Sequence, residues 1–162
     1  MSDGLTEREE NEAEHRTHFT PRASQVFDLA EQEAVRLNSD VIDTEHVLLG
    51  LVKLGQGVAA NVLRRMGVDL EEARVKIEEG LAGSGQMKMH HPLPLTRSVK
   101  KVLVRAEHEA RSLFHAYVGT EHILLGLLSE HGGSAAPILQ AFGVSAAEAR
   151  RQVLKELDPN EH

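Results

Sequence analysis

An all-α fold of two tandem four-helix repeats is what this sequence predicts, and three observations carry the prediction. Apolar residues recur at helical spacing, and no long alternating run marks a strand. The stretch Thr44-Glu45-His46-Val47-Leu48-Leu49-Gly50-Leu51 returns as Thr120-Glu121-His122-Ile123-Leu124-Leu125-Gly126-Leu127. Displacing the chain by 76 residues then lays 19–81 on 95–157 without a gap, the signature of an internal repeat. Thr20 falls on Thr96, Glu33 on Glu109, Gly67-Val68 on Gly143-Val144, and Glu72-Ala73-Arg74 on Glu148-Ala149-Arg150. Eight helices with pseudo-two-fold symmetry are expected, and with them two equivalent surface sites, one per repeat.

Residues 1–18 are rich in Asp and Glu and poor in apolar groups, as an acidic flexible tail would be. The first repeat spans 19–82. Thr20 caps its first helix, with Pro21 at the first helical position, where a missing N–H costs nothing. Val26, Leu29, Ala30, Ala34 and Leu37 give that helix an apolar stripe, and Asn38-Ser39-Asp40 ends it. The second helix runs from Thr44 to about Leu54 and stops at Gly55-Gln56-Gly57. Being apolar on nearly every face, it belongs at the centre of the fold. Thr44 reads as its cap and its polar first turn as open to the surface. A third helix covers about Val58 to Met66. The fourth starts from an Asp69/Glu72 capping box and fades near Gly80. Residues 83–94 form a linker, the second repeat spans 95–157 with Ser145 and Glu148 repeating the capping box, and 158–162 are a polar tail.

Composition narrows the function classes. The 162 residues are 41% hydrophobic but 3% aromatic, so the core is aliphatic. A formal net charge of -7 opposes non-specific binding to nucleic acid or to an anionic membrane surface. The third helix of the second repeat, about Ser134 to Phe142, carries no Lys or Arg, against a DNA-recognition role. The chain has no cysteine, no apolar run near the ~20 residues of a membrane span, and an acidic rather than signal-like start; a cytoplasmic location is expected. It lacks a phosphate-binding Gly-x-x-x-x-Gly-Lys loop, a zinc-binding His-Glu-x-x-His helix and a Gly-x-Ser-x-Gly elbow. No enzymatic activity, cofactor or metal is expected. His90 and His91 in the linker have no carboxylate or thiol at ligand spacing. His108, His115 and His122 lie seven apart, but a turn at 116–119 interrupts any shared helical face, and the spacing reads as coincidence.

The repeated phrase holds the candidate site. The first amides of a helix lack internal partners and carry the positive end of its dipole. With the Thr120 hydroxyl they make an anion pocket, and Glu121 adds a negative charge beside it. Such a turn suits a ligand carrying an anion and a cation close together. The plainer reading is that threonine caps, glutamate complements the dipole, and nothing binds.

The double repeat, the Gly119-Thr120-Glu121-His122 phrase, the Phe19-Thr20-Pro21-Arg22-Ala23 opening and the Gly-Val before each last helix closely resemble the Clp N-terminal repeat domain. This is the N domain of ClpC- and ClpA-type ATP-dependent unfoldases, and the resemblance covers about residues 19–157. It implies an eight-helix pseudo-dimer that receives substrates and adaptors for an ATPase ring. In ClpC-type members it also implies recognition of phosphorylated arginine, with glutamate on the guanidinium and helix-start groups on the phosphoryl oxygens. Carried over, those positions are Thr44 and Glu45 in one repeat and Gly119, Thr120 and Glu121 in the other. Phe19 and Leu95 stand where the family forms a hydrophobic surface for partners and some cyclic peptides; the family usually has phenylalanine at the second position. Asp43 replaces the family glycine, so the first site is expected to be the weaker, through charge repulsion and lost backbone freedom. The chain carries no ATPase module, and a stand-alone accessory or decoy of a ClpC-type unfoldase is the role the resemblance suggests. The alternative is an interaction domain that has kept the fold and lost phosphoarginine recognition.

Overall fold

The computed structural model describes residues 18–81 and 92–158. The acidic tail up to residue 17, the linker part 82–91 with His90 and His91, and residues 159–162 lie outside them. Eight helices are present among the described residues: α1 Pro21–Arg36, α2 Thr44–Leu54, α3 Val58–Arg65, α4 Leu70–Leu81, α5 Arg97–Ser112, α6 Thr120–Ser129, α7 Ala135–Ala141 and α8 Ala146–Leu157. The fold is all-α, as expected.

Local sequence explains most of the helix starts. The Thr20 hydroxyl accepts the Ala23 N–H at 3.1 Å ahead of Pro21, and Thr96 does the same for Val99 at 3.2 Å. Asp69 accepts the N–H groups of Glu71 and Glu72, and Ser145 accepts that of Glu148. Two non-glycine residues, Asn38 and its counterpart Phe114, end helices at φ of 60° and 59°. Phe114 is also 96% exposed, so no packing compensates its left-handed backbone.

The apolar helices α2 and α6 sit at the centre, buried along almost their whole length. Glycine inside each repeated phrase lets them cross their neighbours closely. A Cβ on Gly50 would lie 2.5 Å from the Val26 carbonyl oxygen of α1, and one on Gly126 2.8 Å from that of Val102 on α5. Buried Glu33 draws α1, α2 and α4 together. It pairs with Lys53 and Arg36, and Arg36 reaches on to Glu78. Burial pushes the Glu33 carboxyl up, but Lys53 and Arg36 overcome it and hold it below its ordinary value. In the second repeat Glu109 pairs with Arg150 of α8.

The repeats do not close separately. The peptide entering α1 bridges the peptide entering α6, with Thr20 N–H to Val118 C=O at 2.9 Å and Val118 N–H to His18 C=O at 2.8 Å. The mirror pair joins the entries of α2 and α5: Ile42 N–H to Pro94 C=O at 2.9 Å and Thr96 N–H to Ile42 C=O at 3.0 Å. Across the other seam Glu156 of α8 takes Asn61 and Arg65 of α3. Among the described residues no single helix is long and apolar enough to cross a membrane.

Candidate functional site

The repeated phrase is placed differently from its sequence reading. The residues that cap α2 and α6 are Asp43 and Gly119, and the threonines are the first helical residues. A histidine two positions further on completes each turn: Asp43 N–H donates to His46 Nδ1 and Gly119 N–H to His122 Nδ1, both at 2.9 Å. The threonine hydroxyls instead cross to the other repeat. Thr120 Oγ1 accepts the Ala59 N–H of α3 at 3.1 Å, and Thr44 Oγ1 accepts the Ala135 N–H of α7 at 3.3 Å. Neither α3 nor α7 has a side-chain cap of its own, so each borrows one. Glycine is needed for this reach. A Cβ on Gly57, at φ +101°, would stand 3.0 Å from Thr120 Oγ1, and one on Gly133 2.5 Å from Thr44 Oγ1. Thr44 and Thr120 are consequently buried, not open to water. The expectation of one site per repeat is also corrected, because each cleft is built from both.

The second cleft is a cavity of about 540 Å³ where the starts of α1, α3 and α6 converge; Thr20, Arg22, Gly57, Tyr117, Thr120 and Glu121 are among its lining residues. Arg22 passes close by Gly57, its Cδ 3.3 Å from where a Cβ would stand. Glu121 is 3% exposed. Its carboxyl folds back over Gly119, where a Cβ would lie 2.1 Å from Oε1. Burial pushes the Glu121 carboxyl above its ordinary value, and a backbone hydrogen bond to its own residue offsets part of that. Tyr117 is pushed up as well, by burial first and then by the Glu121 charge.

The first cleft shows what Asp43 changes. Its backbone, φ −105° and ψ 175°, matches that of Gly119 at −100° and 179°. Extended backbone is open to any residue, so the expected loss of glycine's freedom does not apply. The difference is steric. Gly119 leaves room for Glu121 to fold back, whereas Asp43 carries a Cβ there. Glu45 turns elsewhere and accepts the Thr44 hydroxyl at 3.1 Å, half-buried. Asp43 Oδ1 accepts the Thr44 N–H at 2.8 Å and the Thr96 hydroxyl at 3.1 Å. Since Thr96 mirrors Thr20, that carboxylate stands at the first cleft.

The structure brings together two histidines that the sequence reading kept apart. His115 Nδ1 and His122 Nε2 are 2.8 Å from each other. Because His122 Nδ1 accepts from Gly119, the network assigns the His122 proton to Nε2, which donates to His115. The turn expected to separate them instead folds one ring onto the other, with Tyr117 stacked on His115 at 5.3 Å. Burial, then the neighbouring His115, lowers His122 to about 4. His46 is lowered too, chiefly by burial, and its Nε2 is buried without a hydrogen-bond partner among the described residues.

Of the apolar pair, Leu95 is 7% exposed and bridges Ile42, so its side chain is spent on the core. Phe19 is half-buried against Phe27, ring centres 5.6 Å apart, and keeps some accessible surface. Glu130 escaped the sequence reading. It is buried just past the end of α6, where the first repeat has Leu54, and accepts the Gly132 N–H at 2.8 Å. That substitution of a carboxylate for an apolar residue was visible in the repeat alignment. No group of three or more His, Cys, Asp or Glu suited to a metal ion occurs among the described residues.

The family model described as Clp repeat (R) N-terminal domain matches residues 18–124 and again 94–162. The chain is 48% identical over 143 residues, 88% of its length, to the negative regulator of genetic competence ClpC/MecB of Bacillus subtilis, covering 17% of that protein. It is 46% identical over 140 residues, 86% of its length, to a probable ATP-dependent Clp protease ATP-binding subunit of Chlamydia pneumoniae, again covering 17%. Among solved structures, the N-terminal domain of the chaperone ClpD from Arabidopsis thaliana superposes with a TM-score of 0.67 at 26% identity, covering 87% of this chain and 95% of that one. The chain thus spans about a sixth of the length of the curated relatives it matches.

Proposed function

The chain belongs to the Clp repeat (R) N-terminal domain family, and from that premise we propose that it is a non-catalytic receptor for proteins handled by a ClpC-type unfoldase, with phosphoarginine as the mark it reads. The observation that carries this reading is the second cleft. A buried Glu121 carboxylate, the Arg22 guanidinium and the Thr120 hydroxyl line one cavity. A phosphorylated guanidinium is the mixed-charge group such walls complement. Its guanidinium nitrogens donate to Glu121, in a site dry enough to strengthen the contact. Its phosphoryl oxygens meet Arg22 and the Thr120 hydroxyl, which still has a proton to give while its oxygen accepts from Ala59. The first cleft, with Asp43 at its rim, is a poor host for the same phosphoryl group.

The unfoldase, its adaptors and its marked substrates are the partners this reading proposes, in the cytoplasm, with competition for marked substrates as the regulatory consequence. A cyclic-peptide surface gains less support, since Leu95 is buried. An interaction domain that has lost its ligand would not need the Glu121 carboxyl buried at the wall of a cavity. Calorimetric titration with a phosphoarginine peptide and with its unmodified arginine twin tests the proposal. Binding of the first at the second cleft is expected. Absence of heat at millimolar peptide removes the phosphoarginine claim.

A further inference from the structure

The outer face of α5 is cationic along its whole length. Arg97, Lys100, Lys101, Arg105 and Arg111 lie on one exposed stripe at helical spacing, and no Asp or Glu falls on it. The repeat shows that the fold does not require this, since the corresponding positions of α1 hold Pro21, Ser24, Gln25, Leu29 and Val35. Nor does the helix gain by it. Arg97, Lys100 and Lys101 crowd the N-terminal end, where the helix dipole is positive and no acid in the first turn offsets them. Arg97 with Lys101, and Lys101 with Arg105, are like-charge pairs four residues apart, which weaken a helix. Among the described residues Arg105 alone of the five approaches a carboxylate, that of Glu130 at 3.9 Å. Val104, 58% exposed, stands bare in the middle of the stripe.

The missing counter-charge is present in the same chain. Residues 1–17 carry Asp3, Glu7, Glu9, Glu10, Glu12 and Glu14 against Arg8 and Arg16. They join the described structure at His18, which lines a cavity of about 350 Å³ together with Glu107, Ala110 and Arg111 at the C-terminal end of α5. The His18 carbonyl is fixed there by the Val118 N–H at 2.8 Å. The acidic segment is thus tethered at one end of the cationic stripe. The 16-residue α5 is about 24 Å long at about 1.5 Å per residue. Residues 1–17 would cover about that distance as a helix and about 56 Å fully extended, so their reach suffices.

We infer that the acidic segment 1–17 docks on the outer face of α5, its carboxylates opposite Lys100, Lys101, Arg105 and Arg111. Exposed ion pairs are individually weak. A row of them on a tethered segment is different, because the tether holds the carboxylates at a local concentration on the order of 1 mM. The contact supplies the charge that the helix itself lacks, and it occupies this face against acidic segments of other proteins. The inference does not depend on the ligand proposed for the clefts.

The chain has no cysteine, so Asn11→Cys gives a single attachment point for a nitroxide on the isotope-labelled full chain. The amide signals of Lys100, Lys101 and Val104 should then lose most of their intensity, while those of Gln32 and Arg36 on the far half of α1 keep theirs. At about 1 M salt, where the screening length falls to about 3 Å, the α5 signals should return. Replacing Glu7, Glu9, Glu10, Glu12 and Glu14 by Gln should return them at low salt. Lys100→Ser with Lys101→Gln, which places the α1 residues at two exposed positions, should do the same without disturbing the core. Broadening equal on α1 and α5, or broadening that survives both high salt and the Lys100→Ser/Lys101→Gln change, overturns the inference. So do α5 signals that stay sharp beside the label. If those sharp signals shift with an added glutamate-rich peptide, the face belongs to a segment of another protein instead.

Discussion

Replacing Thr120 by valine tests whether the repeats hold each other's helices. Valine keeps the shape of threonine and removes the hydroxyl that accepts the Ala59 N–H at 3.1 Å. Ala59 is fully buried, and α3 has no side-chain cap of its own to take over. A buried donor left without a partner costs about 1–3 kcal/mol. At roughly 2–4 °C per kcal/mol for a chain of this size, a loss near 2 kcal/mol lowers Tm by about 4–8 °C. Thr44→Val should cost less, since its bond to Ala135 is longer at 3.3 Å. Thermal melts followed by circular dichroism give the stability, and amide hydrogen exchange gives the location. Ala59 should exchange faster in Thr120→Val while Ala135 keeps its protection. An unchanged Tm with Ala59 still protected would refute the cross-repeat cap.

Three further outcomes follow from single residues. His122 titrates at about 4 instead of 6.5, so the unfolded chain binds its proton first as pH falls. That costs stability between pH 6.5 and 4, up to roughly 3 kcal/mol. His122→Gln should flatten the acid limb of a urea-stability profile, and an identical limb would contradict the assignment. Gly119→Ala should expel the Glu121 carboxyl from its seat without backbone strain, returning its pKa toward the ordinary carboxylate range in a carbon-detected NMR titration; an unaltered titration would show that the seat does not depend on glycine. Phe114→Asn should stabilise the protein by about 1 kcal/mol, because asparagine tolerates the left-handed backbone and no packing is lost. A fall in the denaturation midpoint would contradict this.

The helices were legible in the chain because their determinants are local. Thr20 with Pro21, the Asp69 and Ser145 caps and the apolar run from Val47 to Val52 each act within a few residues, and the structure keeps all of them. The 76-residue repeat likewise needed nothing beyond self-comparison. What escaped the reading depends on contacts between repeats. Thr44 and Thr120 resemble caps in sequence, yet their hydroxyls serve α7 and α3 of the other repeat, across the same boundary that the Phe19–Val118 and Ile42–Leu95 bridges span. His115 and His122 meet because a turn folds one ring back, and helical periodicity has no account of that. In sequence Asp43 marks the broken symmetry, but only as a charge and a loss of backbone freedom. Its Cβ, filling the space in which Glu121 folds over Gly119, is visible only with the carboxyl in place. Glu130 was readable as a carboxylate opposite Leu54, but its burial was not.

Phosphoarginine binding at the second cleft requires the two glutamates to be unequal. Calorimetric titration of a phosphoarginine peptide into wild type, Glu121→Ala and Glu45→Ala measures the difference. Glu121→Ala should lose about tenfold or more in affinity, the scale of one desolvated charge-assisted contact, while Glu45→Ala stays within about twofold of wild type, as expected where additivity holds for separate sites. Equal losses in the two variants, or a larger loss for Glu45→Ala, would contradict it.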